Sequence, residues 1–140
     1  MNDGTFREFD QDEKGAFGPR SVLLCGFSVE ETAKICDLLK VAGAPGHRVI
    51  LCTEAMIGKS VEEALETTDV SDPLPSERLP RVMVLSGLAG QQVQALIDSY
   101  GATGLRRPIF AVSTPSNLGF SLRDLLVELL KEHQAMTQRR

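Results

Sequence analysis

The sequence lacks the features of several large classes of protein. Its longest apolar runs, such as Val82 to Leu85 and Pro108 to Val112, are far shorter than the roughly 20 residues that cross a bilayer. The 15 basic and 19 acidic residues give a net charge of -4, so there is no positive excess to attract nucleic acid. We therefore expect no integral membrane segment and no nucleic-acid partner.

Cysteine and histidine are scarce, and neither is spaced for a metal. The three cysteines, Cys25, Cys36 and Cys52, form an odd set without Cys-x-x-Cys spacing, which argues against a disulfide framework and a zinc site. The two histidines, His47 and His133, lack a partner at the spacing of a triad or metal site, and we expect both to be solvated or rim residues rather than catalysts. The sequence predicts no metal, no cofactor and no catalytic residue. The cysteine pattern fits a reducing compartment best.

The first residues give an expectation about location. Met1 to Glu13 is acidic and lacks the basic start and apolar middle of a secretory signal, and also the Arg and Ser richness of a transit peptide. We expect a cytoplasmic protein, with the plastid stroma as the alternative if the chain is a mature imported form.

The most informative feature that is present is an internal repeat. At an offset of 61 residues, Ser21 to Glu66 aligns without gaps on Val82 to Val127. The identical positions are mainly turn glycines, strand residues and helix caps: Leu24 with Leu85, Gly26 with Gly87, Asp37 with Asp98, Gly43 with Gly104, Thr53 with Thr114, Gly58 with Gly119, Ser60 with Ser121 and Leu65 with Leu126. Turn glycines, strand residues and helix caps are needed in each copy if both copies have the same fold, so the matches indicate a repeated fold rather than a repeated activity.

Each copy alternates short apolar runs with helix signals. The runs predicted as strands are Ser21 to Cys25, Arg48 to Thr53, Arg81 to Leu85 and Ile109 to Ser113. Capping boxes predict helices after Ser28 and Ser60, a third helix is predicted from about Gly90 to Ser99, and Ser121 caps a last, leucine-rich helix. The inward face predicted for the first helix contains Val29, Ala33, Cys36 and Leu39.

This element order predicts an α/β fold. We expect a three-layer α/β/α sandwich on a four-stranded, mainly parallel sheet of order 2-1-3-4, built from two β-α-β-α pseudo-repeats and similar to flavodoxin and receiver domains. Residues 1–20 are predicted as a flexible acidic arm and 137–140 as a basic tail. Between them, 21–136 is predicted as one domain with repeats 21–66 and 81–136, joined by the proline-rich linker 67–80.

A parallel sheet of that order has a crevice where the connections after its first and third strands leave in opposite directions. The predicted ligand-binding residues there are Cys25, Gly26, Ser28, Ser86, Gly87, Gly90 and Gln91. Arginines that precede strands, Arg81 among them, would lie at the other end of the sheet. A phosphorylated ligand would therefore lack charge-assisted clamps.

The cysteines leave two further interpretations open. Cys25 follows the first strand, where some sugar phosphotransferase IIB domains carry a phosphorylated cysteine, although the acidic helix start beside it does not favour a thiolate. Cys25 and Cys52 hold equal register on strands expected to be neighbours, which leaves a redox switch open. The simpler interpretation is a small buried hydrophobe at each position.

The second copy resembles a known family. The stretch Val84-Leu-Ser-Gly-Leu-Ala-Gly-Gln-Gln, with Leu96-Ile-Asp98, Gly104-Leu105 and Pro108 to Ala111, is similar to a family of small uncharacterised domains of bacteria and of plastid proteins in plants and algae. The resemblance implies no activity, cofactor or catalytic residue. Its plastid members suggest an accessory role around the photosynthetic apparatus.

Together these features favour a non-catalytic protein-interaction or assembly module with a protein partner, and they leave a homodimer open. The predicted crevice lacks acids, bases and cations, whereas the arm, the linker and the last helix supply variable surfaces. The alternative is a small-ligand-binding domain or enzyme at the Gly26/Gly87 crevice. A degenerate regulatory domain with a receiver-like dimer face is a third interpretation.

Overall fold

The computed structural model describes residues 17–67 and 78–138. The predicted arm up to residue 16, residues 68–77 of the predicted linker and residues 139–140 of the predicted tail lie outside the described residues. Within the two described ranges, no helix combines the length and the apolar character needed to cross a membrane.

Four strands form one open sheet in the order β2-β1-β3-β4. The strands are β1 (Ser21–Cys25), β2 (Arg48–Leu51), β3 (Val82–Ser86) and β4 (Ile109–Val112). All residues of β1 and β3 are buried, as expected for central strands covered on both faces. β1 pairs with β2, and β3 with β4, in parallel, whereas β1 and β3 pair antiparallel. The predicted sheet, mainly parallel and of order 2-1-3-4, is confirmed.

Helices cover both faces of this sheet. They are α1 (Thr32–Val41), α2 (Val61–Leu65), α3 (Gly90–Ser99) and α4 (Leu122–Gln138). Residues of α1 and α3 share one hydrophobic cluster with Val22 and Leu24, and residues of α2 and α4 share another with Leu23 and Cys25. Because successive side chains of a strand point to opposite faces, these clusters are the two interfaces of a three-layer sandwich, as predicted.

An approximate twofold axis relates the two copies. The amide of Val61 donates to the carbonyl of Phe120 at 2.9 Å, and the amide of Leu122 donates to the carbonyl of Lys59 at 2.8 Å. At the 61-residue offset, Val61 corresponds to Leu122 and Lys59 to Phe120, so the two bonds are reciprocal. Each copy is therefore a β-α-β-α unit, and the units meet through antiparallel first strands.

The antiparallel junction corrects the predicted crevice. In this register Cys25 lies opposite Val82, and Ser21 lies opposite Ser86. The four steps from Val82 to Ser86 span about 14 Å at about 3.4 Å per residue. The turns at Gly26 and Gly87 consequently lie at opposite ends of the sheet, so the prediction of one crevice between them is wrong. The likeness to flavodoxin and receiver domains is not confirmed.

The predicted inward face of the first helix is also wrong in part. Val29 is 53% exposed, and Ala33 and Cys36 are exposed as well, whereas Leu39 is buried as predicted. A 3-10 turn over Val29–Glu31 precedes α1 and changes the phase of the helix. The buried face of α1 is Ile35, Leu38 and Leu39.

Candidate functional site

At the carboxyl end of β1, an arginine from the other copy holds the turn. The residues of this cluster, named here the arginine clamp, are Gly26, Glu31, Arg81, Tyr100 and Arg106. The Arg81 guanidinium donates to Glu31 Oε1 at 3.2 Å and Oε2 at 2.9 Å, and its Nε donates to the Arg106 carbonyl at 2.8 Å. Longer contacts reach the Gly26 carbonyl at 3.4 Å and the Tyr100 hydroxyl at 3.5 Å.

The clamp is electrostatically satisfied. Hydrogen bonds from Arg81, with one from the Ser28 amide, hold the pKa of Glu31 below its usual value, while burial opposes them. The guanidinium carbon of Arg81 also lies 3.9 Å from the ring centroid of Phe27. All three guanidinium nitrogens have partners within the protein, so the clamp fastens the two copies together, although a polar cavity of about 310 Å³ adjoins it.

The clamp overturns the prediction that the arginines before strands lie away from this end. Because β3 runs antiparallel to β1, the start of β3 lies beside the carboxyl end of β1. Sequence reasoning missed Arg81 and its partner for that reason. One signal was available, since Pro19-Arg20 and Pro80-Arg81 correspond at the repeat offset and each precedes the first strand of its copy.

At the opposite end of the sheet, His47 holds the turn after β3. Its Nε2 lies 2.9 Å from the Ser86 carbonyl and 3.0 Å from the Gly87 carbonyl, so Nε2 donates to both. Nδ1 is buried and has no hydrogen-bond partner among the residues that the structure describes. Burial lowers the pKa of His47, although the two carbonyls act in the opposite direction. We conclude that His47 is neutral near pH 7.

His47 was predicted as a solvated or rim residue, but it is buried, with only 9% of it exposed. It precedes β2, and β2 is parallel to β1, whose amino end lies beside the carboxyl end of β3. The antiparallel junction thus brings His47 to Gly87 just as it brings Arg81 to Gly26.

A second buried polar atom belongs to Ser86, whose carbonyl contacts His47. The hydroxyl of Ser86 is fully buried and has no hydrogen-bond partner within the described part of the chain. A buried, unsatisfied hydroxyl costs about 1–3 kcal/mol, so it calls for a physical explanation. We name the group of Ser86, Gly87 and Ser113 the serine end of the sheet.

The predicted ligand-binding residues therefore fall into two groups. Cys25, Gly26 and Ser28 lie at the arginine clamp, and Ser86, Gly87, Gly90 and Gln91 lie at the serine end. Gly26 and Gly87 have φ values of +75° and +69°, which favour glycine, and Gly90 is buried while Gln91 is exposed. Ligand binding by either group stays a prediction.

Two cysteines of the first copy form an apolar counterpart of the serine end. Cys25 and Cys52 are free, fully buried thiols that follow the paired residues Leu24 and Leu51. A hydrogen bond with Cys52 and burial together raise the pKa of Cys25 well above its usual value. The thiolate that a phosphotransferase or redox role requires is thereby disfavoured, which supports the interpretation of both as buried hydrophobes. Within residues 17–67 and 78–138, no three metal-ligating side chains are grouped to hold an ion.

Comparison with known families finds a match within the second copy. Residues 81–136 match a family described as "Domain of unknown function (DUF3783)". The range covers β3, α3, β4 and most of α4, so the predicted resemblance to an uncharacterised domain is confirmed for one β-α-β-α unit. The predicted distribution among bacteria and plastids is not shown. Searches of curated proteins and of solved structures return no significant match.

Proposed function

We propose that the protein is a non-catalytic interaction module that docks on a partner protein through the end of α4. The supporting observation is a difference in length between equivalent helices. The helix α4 has 17 residues, whereas α2, its counterpart in the first copy, has five. At about 1.5 Å per residue α4 is about 25 Å long, and the five-residue strands beneath it span about 17 Å.

The burial pattern shows where α4 leaves the core. Leu122, Leu125 and Leu126 are buried, Leu129 is partly buried, and residues 131–136 are exposed. We call residues 131–136 the free end of α4. Met136 lies seven residues after Leu129, which places it on the same face of the helix, yet 68% of it is exposed. Glu132 and His133 follow Leu125 and Leu126 at the same spacing, so Met136 is the large apolar residue that this face keeps beyond the core.

The chemistry of this face supports one kind of partner. Asp124, Glu128 and Glu132 are exposed and spaced four residues apart, so they form an acidic row along α4, in which Glu128 pairs with Lys131 at 3.9 Å. A short apolar face with an acidic row suits an apolar groove edged by basic residues on a different protein. A second copy of this chain would offer another acidic row, which would repel the first.

The test uses the purified full chain to capture partners from native extract and compares two variants. Met136→Glu places a charge on the proposed docking face. Val127→Glu is the matched control, because Val127 is 43% exposed and lies nine residues earlier, on the opposite side of the helix. We expect one partner that binds the wild type and Val127→Glu equally and binds Met136→Glu about tenfold more weakly, with little change in any melting temperature.

Equal capture by both variants, or no protein above background, would contradict the proposal. Light scattering separates the alternative partner: a dimer that Met136→Glu dissolves would make a second copy the occupant instead. An accessory role around the photosynthetic apparatus stays a prediction from the resemblance alone.

A further inference from the structure

Residues 17–20 cross the serine end of the sheet, and we call them the strap. The carbonyl oxygen of Phe17 accepts a hydrogen bond from the Gly87 amide at 2.8 Å and another from Ser113 Oγ at 3.1 Å. The strap begins inside the segment predicted as a flexible arm, so this contact was not expected. Its effect is to place one peptide oxygen against two donors of the second copy.

The two serine hydroxyls converge on the strap. A methyl group built at Gly18 would stand 2.5 Å from Ser86 Oγ and 2.9 Å from Ser113 Oγ. Ser86 Oγ, fully buried, makes no hydrogen bond within the described ranges, and Gly18 adopts a φ of +92° that favours glycine. The strap covers this hydroxyl closely without satisfying it.

The first copy shows that the fold does not require this polar cluster. At the repeat offset, Ser86 corresponds to Cys25, Ser113 to Cys52 and Gly18 to Leu79. The first copy thus closes the same position with two thiols in the hydrophobic core, and the leucine packs partly buried against that core. The second copy instead has two hydroxyls and a residue without a side chain, at the cost of an unsatisfied buried group.

We propose that the serine end is a binding site for the carboxylate group of a small organic acid, and that the Phe17 carbonyl occupies it as an internal substitute. One carboxylate oxygen takes the place of the Phe17 oxygen and accepts from the Gly87 amide and Ser113 Oγ. The other oxygen accepts from Ser86 Oγ, which gives that hydroxyl the partner it lacks. This site is separate from the free end of α4 and does not depend on the proposed docking function.

The donors select the class of ligand. An amide and two hydroxyls are neutral, and burial holds His47 neutral. Arg20, whose charge also acts on His47, belongs to the strap that must move, so the remaining donors suit a group with a single charge shared between two oxygens. A phosphate carries nearly two charges and binds best to cationic clamps. The strap must move for the ligand to enter, and the apparent affinity is therefore the intrinsic affinity reduced by the fraction of molecules with an open strap.

The test follows the backbone amides of Gly87 and Ser113 by NMR in the labelled full chain, titrated with acetate, with phosphate, or with chloride at matched ionic strength. We expect saturable shifts with acetate only. The Gly18→Ala variant forces the strap away through the 2.5 Å clash, so its apparent acetate affinity should be about tenfold higher than that of the wild type. When it is combined with Gly18→Ala, whose strap is already displaced, Ser113→Ala should weaken acetate binding about tenfold, since it removes one donor from the open site.

Equal shifts with chloride or phosphate, or no saturable acetate shift in folded Gly18→Ala, would overturn the proposal. Ser86→Ala gives a measurement that does not depend on the strap variant. Without acetate it should be at least as stable as the wild type, because it removes an unsatisfied hydroxyl, and its gain in melting temperature with acetate should be smaller. A loss of stability in Ser86→Ala would show that the hydroxyl already has a partner and would refute the assignment.

Discussion

Removing the Arg81 side chain should lower the free energy of unfolding by more than breaking an exposed ion pair would. Its side chain is 11% exposed and that of Glu31 is 21% exposed. Exposed pairs contribute about 0–1 kcal/mol, whereas removing one partner of a buried pair costs about 3–5 kcal/mol. Arg81→Ala also removes one of two donors to the Arg106 carbonyl, at 2.8 Å, and leaves the Tyr100 hydroxyl at 2.7 Å as the other. We therefore expect a loss at the lower end of that range, about 3 kcal/mol.

The repeat supplies a gentler variant of the same interaction. Gln92 corresponds to Glu31, and its Oε1 accepts from the Ala89 amide at 2.8 Å just as Glu31 Oε1 accepts from the Ser28 amide at 2.8 Å. Glu31→Gln should therefore keep the helix cap, but its amide nitrogen, a donor, takes the place of the Oε2 that accepts from Arg81 at 2.9 Å. We expect a cost of about 2 kcal/mol, the loss of one charge-assisted hydrogen bond.

Urea unfolding of the full chain, followed by circular dichroism, gives the free energies by linear extrapolation. Lys40→Ala is the control, because the Lys40–Asp37 pair is 4.0 Å apart and its side chains are 67% and 77% exposed. We expect the control to cost less than about 0.5 kcal/mol. The reasoning fails if Arg81→Ala costs no more than Lys40→Ala, or if Glu31→Gln costs as much as Arg81→Ala.

Two further predictions concern pH and glycine. The pKa of folded His47 lies below its usual 6.5, so the stability that His47 contributes is complete above pH 6.5 and should fall as the pH drops toward the folded pKa. His47→Gln should abolish this fall, and an unchanged pH profile in that variant would contradict the prediction. The lowered pKa of Glu31 adds a second loss as pH falls below 4.5. In thermal unfolding, Gly87→Ala should cost about 1–3 kcal/mol, because its methyl group would stand 2.6 Å from the Pro19 carbonyl oxygen at a φ of +69°. Gly58→Ala is the control, and it should cost less than about 0.5 kcal/mol because a methyl group there meets open space. Similar costs for the two variants would refute the strain argument.

The elements of each copy were predictable because their signals are local. The run from Ser21 to Cys25 reads as a buried strand, and Ser60 with Glu63 forms the capping box that the sequence indicates. The parallel pairing inside each copy also followed, since a helix connects the paired strands. The face of α1 did not follow, because the 3-10 turn at Val29–Glu31 shifts its phase.

The direction in which the copies join was not predictable from these signals. An apolar run such as Val82 to Leu85 reads the same in a parallel and an antiparallel pair, and the predicted linker has no helix to impose a crossover. Every error about the candidate site follows from that one unknown. The antiparallel junction separates Gly26 from Gly87, brings Arg81 to the turn after β1 and buries His47 at the turn after β3.

The antiparallel junction of β1 and β3 is the central claim, because it creates the arginine clamp and the serine end as separate places. Backbone nuclear Overhauser effects in the labelled full chain test it most directly. The register predicts cross-strand contacts between Leu24 and Met83 and between Val22 and Leu85. Contacts between Leu24 and Leu85 and between Val22 and Met83 would instead indicate a parallel junction and would contradict the account.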